Sequence, residues 1–594
     1  MSRWRPWTSM FLWSWRAAPR WVLYAGSVLV AGAITSVLYP VALAVLINAA
    51  VRHEGERLVL GVVALAVLYA LTWTFGMLAG TACATLSDKT GIYLNARIAE
   101  LLNAVSGVDH LERPAYRTEL DLLQQNLGPL SNGARQMLVV LQILVRTVGL
   151  VVILATIFPP LALLPLLAVA PLLGERASVR IRQRADEQVA PHRRLANELF
   201  ELATSAGSGK ELRVFGVTEA LRERHRGKAE IVSSSTTRAA LVGGFYGTVG
   251  WVLFAAGFVG GIAAVVVRAV DGHASVGEVV LAVTLIQRAQ LQIGQAAASI
   301  GALLTATRTA ERLLWLEDHA AADRVEQEGR HAKPPSMLTN GITLRDVSFG
   351  YPATGVPVLE GVDLHLPAGA AVALVGENGA GKTTLVKLLT GMYQPTSGAV
   401  LIDGVPLAEI ELAAWRKRTA ATFQDFVQFE LLAGEAVGIG DLPRMDDAAA
   451  LDTALDRADA TALTLQLRDG LATPIGRSFS SGQDLSGGQW QRLALARGMM
   501  RDLPLLLVLD EPTASLDAIT EAALFDRYLA ARALVKGSGA ITLIVSHRFS
   551  TVRTADLIVV IDQGRIAAVG DHASLIRAGG LYADLYEIQA RAYR

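Results

Sequence analysis

The 594-residue chain holds a single cysteine, Cys83, and little charge. One thiol excludes an intrachain disulfide and any cysteine-built metal site. Charged residues are 18% of the sequence, and 54 Lys and Arg balance 54 Asp and Glu, so no global field marks a partner of opposite sign. No internal repeat is evident. The first apolar run is far longer than a signal-peptide core and further runs follow, so a cleavable leader is not expected.

Apolar residues are plentiful instead. They make up 52% of the chain, and the mean hydropathy of +0.38 is too high for a soluble globule of this length. Six stretches read as membrane spans: residues 21–51, 58–86, 136–158, 159–174, 243–267 and 276–304. The fourth is the shortest and carries Pro165 and Pro171. Buried helices of a soluble core would be the alternative, but several of these runs exceed 20 residues with almost no internal charge.

The basic residues set the orientation. Residues 1–20, 87–135 and 175–242 hold 4, 5 and 13 Lys and Arg, against 3 in the short linkers on the other side. The long segments, and both termini, are therefore expected in the cytoplasm of a multi-pass cell-membrane protein, for which a bacterial inner membrane is the expected setting. The cluster Arg176, Arg180, Arg182, Arg184, Arg193 and Arg194 follows the same rule. Its interleaved Glu175, Asp186, Glu187 and Glu198 suggest a solvated helix rather than a nucleic-acid surface. Before the first span, Trp4, Trp7, Phe11, Trp13 and Trp15 alternate with Arg3, Arg5 and Arg16, the mix of an interfacial helix in contact with lipid. In the sixth span Arg288, Gln292 and Gln295 share one face. Such a stripe avoids lipid, and it fits either an interhelical hydrogen-bond network or the wall of a translocation cavity for a polar or anionic group.

The C-terminal part reads differently. The strand-length run 370–375 leads into Gly376-Glu377-Asn378-Gly379-Ala380-Gly381-Lys382-Thr383-Thr384. The glycines let backbone N–H groups wrap a polyanion in front of a helix N-terminus. Lys382 can reach the β- and γ-phosphates, and Thr383 can ligate Mg²⁺. After the apolar run 505–509 come Asp510 and Glu511, one carboxylate for the Mg²⁺ shell and one for a water. Between them Leu485-Ser486-Gly487-Gly488-Gln489 opens another helix, a second phosphate-facing end.

These three motifs, in this order, resemble the ATP-binding cassette, whose signature stands unaltered at residues 485–489. The resemblance implies ATP and Mg²⁺ as ligands. By it, Tyr351 looks like the adenine-stacking aromatic, Gln424 like the Mg²⁺-contacting glutamine, and His547 like the switch histidine that steadies the γ-phosphate. Residues Ser515-Leu516-Asp517 look like the loop through which two cassettes communicate. Glu511 would polarise the attacking water, with Lys382 and Mg²⁺ (on Thr383, Gln424 and Asp510) offsetting charge in the transition state. Nucleotide contacts are expected from Tyr351, Gly376, Asn378, Gly379, Ala380, Gly381, Lys382, Thr383, Thr384, Gln424 and Asp510, and from Ser486, Gly487, Gly488 and Gln489 of the opposite cassette.

Six spans followed by one cassette resemble the exporter type of ABC transporter, in half-transporter form. The fold class implied is an all-α six-helix transmembrane domain, residues 1–335, followed by an α/β P-loop ATPase domain, residues 336–594. A polar stretch with Pro334-Pro335 marks the boundary. One chain supplies half of each composite site, so a homodimer or a heterodimer with another half-transporter is implied, moving a substrate the sequence does not name. Coupling helices are expected near residues 110–120 and 202–215. One departure stands out: where many exporters carry Gly-Glu-Arg-Gly before the signature, this chain has Phe479-Ser480-Ser481-Gly482. Lipid flipping and import remain open on the same fold. A non-transporting ABC ATPase would have no use for six spans.

Overall fold

The computed structural model describes residues 4–205, 207–352, 355–511, 539–546 and 548–592. It divides into two compact units, one of residues 1–100 and 120–316, the other of residues 101–119 and 317–594. His547 and the stretch 515–517 lie outside the described residues.

The first unit, together with residues 101–119 and 317–328 of the second, is helical. Helix α1 (Arg5–Ala17) begins with Pro6 in its first turn and buries Met10 and Trp13 while Trp4, Phe11, Leu12 and Trp15 stay exposed, the split expected of an interfacial helix. Then come α2 (Pro19–Val51), α3 (Gly55–Ala104), the short α4 (Asp109–Glu112), α5 (Pro114–Gln125) and α6 (Leu127–Ser131), and α7 (Gly133–Ile157). A 3₁₀ stretch Pro159–Ala168 runs into α8 (Val169–Thr204), followed by α9 (Gly209–Val214), α10 (Thr218–Val270) and α11 (Val276–Glu328).

Among the described residues five helical segments are long and apolar enough to cross a membrane: Pro19–Val51, Gly55–Ala104, Gly133–Ile157, Pro159–Thr204 and Thr218–Val270. The fourth expected span is present, but its proline-rich start winds as 3₁₀ helix. The sixth expected span is helical but more polar than the others. Residues 276–304 lie in the continuous helix α11, yet that helix is not among the five, because Glu278, Gln287, Arg288, Gln290 and Gln292 dilute its apolar run.

Helices α8 and α10 pack along a glycine seam. Gly243, Gly250 and Gly257 recur every seventh residue of α10. A Cβ on each would sit 2.6 Å from Ser178 Oγ, 2.7 Å from Ala170 O and 2.1 Å from Leu167 Cδ1 respectively. Gly174 completes the seam, its missing Cβ falling 2.5 Å from Tyr246 O. Small residues permit this approach, which dispersion then rewards. The arginine-rich part of α8 is solvated as expected, with Arg193 paired to Asp186 at 2.8 Å.

The second unit holds two sheets. An antiparallel one has the order β2 (Pro357–Pro367), β1 (Gly341–Gly350), β4 (Ser397–Ile402), β5 (Val405–Pro406). The other runs β10 (Arg565–Gly570), β9 (Leu557–Asp562), β3 (Ala371–Val375), β8 (Ile541–Val545), β7 (Leu506–Asp510), β6 (Thr419–Thr422), parallel from β9 to β6. Strands β3 and β8 are buried throughout, which is why they read as unbroken apolar runs. Helix α12 (Lys382–Leu389) follows β3, and α13 (Leu412–Lys417) packs on it through Trp415, whose indole N–H donates to Leu389 O at 3.0 Å. Helices α14 (Ala433–Gly438), α15 (Ala448–Arg457) and α16 (Thr461–Thr464), with α17 (Gly487–Gly498), build a separate apolar cluster around Trp490, Leu493 and Leu455.

Candidate nucleotide site

The loop from β3 to α12 has the geometry its glycines anticipate. Gly379 and Gly381 take φ of +83° and +106°, the left-handed region that costs other residues strain. Gly376 passes so close to β9 that a Cβ would stand 2.2 Å from Ile561 O. Lys382 folds back over the loop, its Nζ donating to Gly376 O at 2.9 Å and Glu377 O at 2.8 Å. Burial lowers its pKa, opposed by the carboxylates of Glu511 and Asp510.

Opposite stand the two acids at the end of β7. Asp510 is buried, and Thr383 Oγ1 donates to its Oδ2 at 3.2 Å. Its other oxygen, Oδ1, is buried with no hydrogen-bond partner among the described residues. Burial pushes the Asp510 carboxyl up to about 6, with the neighbouring acids adding to the effect. A hydroxyl already on a carboxylate whose second oxygen is orphaned is a donor set that suits a hard divalent cation, so the residues present fit Mg²⁺. Glu511 follows with φ of +45°, a strained value for a non-glycine. Its N–H donates to Val545 O at 3.0 Å, and its Oε2 accepts from Gln424 Nε2 at 2.8 Å.

One cavity of about 670 Å³ unites Tyr351, Asn378, Gly379, Gly381, Lys382, Thr383, Thr384, Gln424 and Glu511, together with Val358, which the sequence did not mark. Gly376 offers its carbonyl to Lys382, Ala380 is buried with its N–H donating to Glu377 O at 3.2 Å, and Asp510 is bonded to Thr383 of the cavity wall. Tyr351 hydrogen-bonds Thr384 Oγ1 at 3.0 Å and meets Phe349 and Tyr393 edge-on.

The signature residues do not line this cavity. Ser486 caps α17, its Oγ accepting from Gln489 N at 3.3 Å while Gln489 Oε1 accepts from Ser486 N at 2.8 Å, a reciprocal capping box. Ser486 and Gly487 are exposed, and no atom lies within 4 Å of a Cβ built on Gly487. The departing segment before the signature has its own anchorage. Glu430 accepts from the backbone N–H of Ser478 at 2.8 Å and from its hydroxyl, and Arg477 holds Asp484 at 2.7 Å.

Sequence reasoning missed a docking surface beside the site. Arg416 donates to Ser106 O at 2.5 Å and Gly391 O at 2.8 Å, and Val108 N donates to Met392 O at 3.3 Å. Ser106 is also bonded to Asp323 and Gln327. Contact thus begins before the expected 110–120 stretch. The other stretch expected to couple, around α9, exposes Val214 and Phe215, at 81% and 69%.

A glycine-lined P-loop, a paired acid strand and a capped Leu-Ser-Gly-Gly-Gln helix define a nucleotide-binding domain. Residues 359–514 match the family model described as ABC transporter. An "ATP-dependent lipid A-core flippase" of Burkholderia orbicola (strain AU 1054) is 40% identical over 257 residues, 43% of this chain and 41% of that protein. "Subtilin transport ATP-binding protein SpaT" of Bacillus subtilis is 36% identical over 262 residues, 44% and 42% of the two. The matching part of the chain thus spans less than half the length of these relatives. In fold the likeness extends further: a solved bacterial Atm1-family ABC exporter with ATP bound superposes at a TM-score of 0.75 over 96% of this chain and 98% of that one, at 24% identity. The chain has the ABC-exporter fold, with several helices long and apolar enough to cross a membrane and a C-terminal ABC transporter domain.

Proposed function

We propose that the chain is an exporter-type ABC half-transporter that binds and hydrolyses ATP to move a substrate out of the cytoplasm, with residues 1–335 as its membrane domain and 336–594 as its cassette. The observation that carries this reading is the single cavity shared by Tyr351, the P-loop and the Gln424–Glu511 pair, in a chain that also has five membrane-length apolar helices.

Tyr351 stacks on the adenine. The N–H groups of residues 378–384 and Lys382 hold the phosphates, Lys382 exchanging its two carbonyl contacts for phosphate oxygens. Thr383, Asp510 and Gln424 would hold Mg²⁺, which supplies charge neutralisation between the β- and γ-phosphates. Glu511, fixed by its own strained backbone and by Gln424, orients the water and receives its proton. His547 is assigned the steadying role at the γ-phosphate by resemblance.

The exposed signature helix supports a dimer in which Ser486, Gly487, Gly488 and Gln489 of one chain close the cavity of another. A homodimer suffices for this arrangement. The basic loops support a cytoplasmic cassette in a bacterial inner membrane. The test is ATPase activity and substrate uptake in inside-out proteoliposomes. ATP hydrolysis without movement of any candidate small metabolite, peptide or lipid would leave an ATPase but remove the transporter.

A further inference from the structure

In the helical unit the guanidinium of Arg288 has no carboxylate partner among the described residues. Arg288 of α11 lies 12 residues beyond the start of its helix, about 18 Å along it, near the middle of a hydrocarbon layer of about 30 Å. It has no ion pair among the described residues, and it makes one bond with its five N–H groups, to Ser36 O of α2. That carbonyl is free to accept because Pro40, four residues on, has no N–H to offer it.

The rest of the Arg288 head stacks over Tyr39 at 5.0 Å and faces a cavity of about 360 Å³ walled by Tyr39, Tyr69, Thr72, Trp73 and Met77. No acidic side chain lines it. The cavity has the size and aromatic lining of a small-molecule site. A cation held at this depth calls for an anion, and the wall calls for an apolar body next to it.

We propose that this cavity binds an acidic amphiphile, its carboxylate or phosphate received by Arg288 and its apolar part by Tyr69, Trp73 and Met77. The proposal rests on the transporter reading and names its substrate class. The acidic group could belong to a free amphiphile or to a membrane lipid headgroup, and the test separates the two.

Full-length protein in phosphatidylcholine nanodiscs, without ATP, is titrated with dodecyl phosphate, dodecylphosphocholine and dodecanol, and binding is read by equilibrium dialysis of labelled ligand. Wild type should bind dodecyl phosphate at least tenfold more tightly than the other two. Arg288→Gln should remove most of that preference, Arg288→Lys should keep part of it, and Trp73→Ala should weaken all three ligands together. If phosphatidylglycerol in the disc competes, the source is the lipid headgroup; if it does not, the source is a free amphiphile. Equal binding of the three ligands by wild type, or an unchanged preference in Arg288→Gln, overturns the proposal; if Arg288→Gln fails to fold, undiminished binding of all three ligands by Trp73→Ala overturns it. Because no ATP is used, a failure of the transporter reading shows only in proteoliposomes and is distinguishable from failure here.

Discussion

Lys387 Nζ stands 3.6 Å from Glu112 Oε1, joining the helix that follows the phosphate loop to a short helix that lies, in sequence, between two membrane spans. The same ammonium sits 5.4 Å from the ring centroid of Tyr351, the residue assigned to adenine, and 5.7 Å from that of Tyr393. With Tyr351 as the proposed adenine platform, base binding and the position of α4 would act on one side chain.

Removing that link should weaken coupling more than binding. The pair is partly exposed, so its worth is about 0.2–1 kcal/mol. Glu112→Gln and Lys387→Met should each lower substrate-stimulated ATPase about two- to fivefold, and the double variant should be no worse than either single one. Additive losses in this double-mutant cycle would show that the two side chains act apart.

Glu511→Gln should abolish turnover by at least about 10²-fold while ATP still binds, since an amide keeps the shape but accepts no proton. Lys382→Ala should instead raise the Kd for ATP. Rapid filtration with labelled ATP and a phosphate-release assay separate the two effects. Hydrolysis near the wild-type rate in Glu511→Gln would remove that residue from its role.

Asp510 gives the site a pH dependence. Its folded pKa of about 6 lies above the ordinary carboxyl value of 3.8, so the folded chain takes up a proton as pH falls through about 6 and the unfolded chain only near 4. Mg²⁺ competes with that proton. The Mg²⁺ concentration for half-maximal ATPase should rise steeply below about pH 6, up to tenfold per unit. In magnesium-free buffer this group should make the folded chain lose stability as pH rises between those two values, and Asp510→Asn should flatten both profiles.

Pro40→Ala should restore an N–H to Ser36 O and free the Arg288 head from its helix contact. On its own Arg288→Gln should lower the melting temperature, because it strands a carbonyl in an apolar setting at a cost of about 1–3 kcal/mol. Combined with Pro40→Ala the loss should largely vanish. Thermal unfolding of the single and double variants reads this directly, and equal losses in both backgrounds would break the link.

Cysteines placed at Ser486 and Asn378 should crosslink between chains and not within one. A Ser486→Arg chain co-expressed with a Lys382→Ala chain should retain at most one intact composite site per dimer. An intrachain crosslink formed efficiently at low protein concentration would sink the head-to-tail arrangement.

Much of the nucleotide site was readable beforehand because its demands are local. A phosphate loop needs glycine at fixed places, and Gly376, Gly379 and Gly381 stand where φ or close approach requires them. Long apolar runs announced the membrane helices for the same reason. What stayed hidden depends on partners distant in sequence. Nothing near Ser36 marks it as the acceptor of Arg288, and nothing near Glu430 marks it as the anchor of Ser478. The polar stripe of the sixth span, Arg288, Gln292 and Gln295, was visible in the sequence, and it sets that span apart from the other five. The contact of Ser106 with Arg416 joins residues about 310 positions apart, beyond any periodicity argument.

The seam of Gly243, Gly250 and Gly257 against α8 has a mechanical corollary. Where two helices touch through side chains, rotamers absorb small displacements like a soft gasket. At Gly174 and Gly250 a Cβ would strike backbone oxygen, so there is little such give at those two points, and α8 and α10 are expected to move together. A single residue inserted into α10 ahead of Gly243 would turn the whole glycine edge by about 100° relative to what precedes it, and a push delivered at one end of the pair would then emerge at the other in the wrong direction.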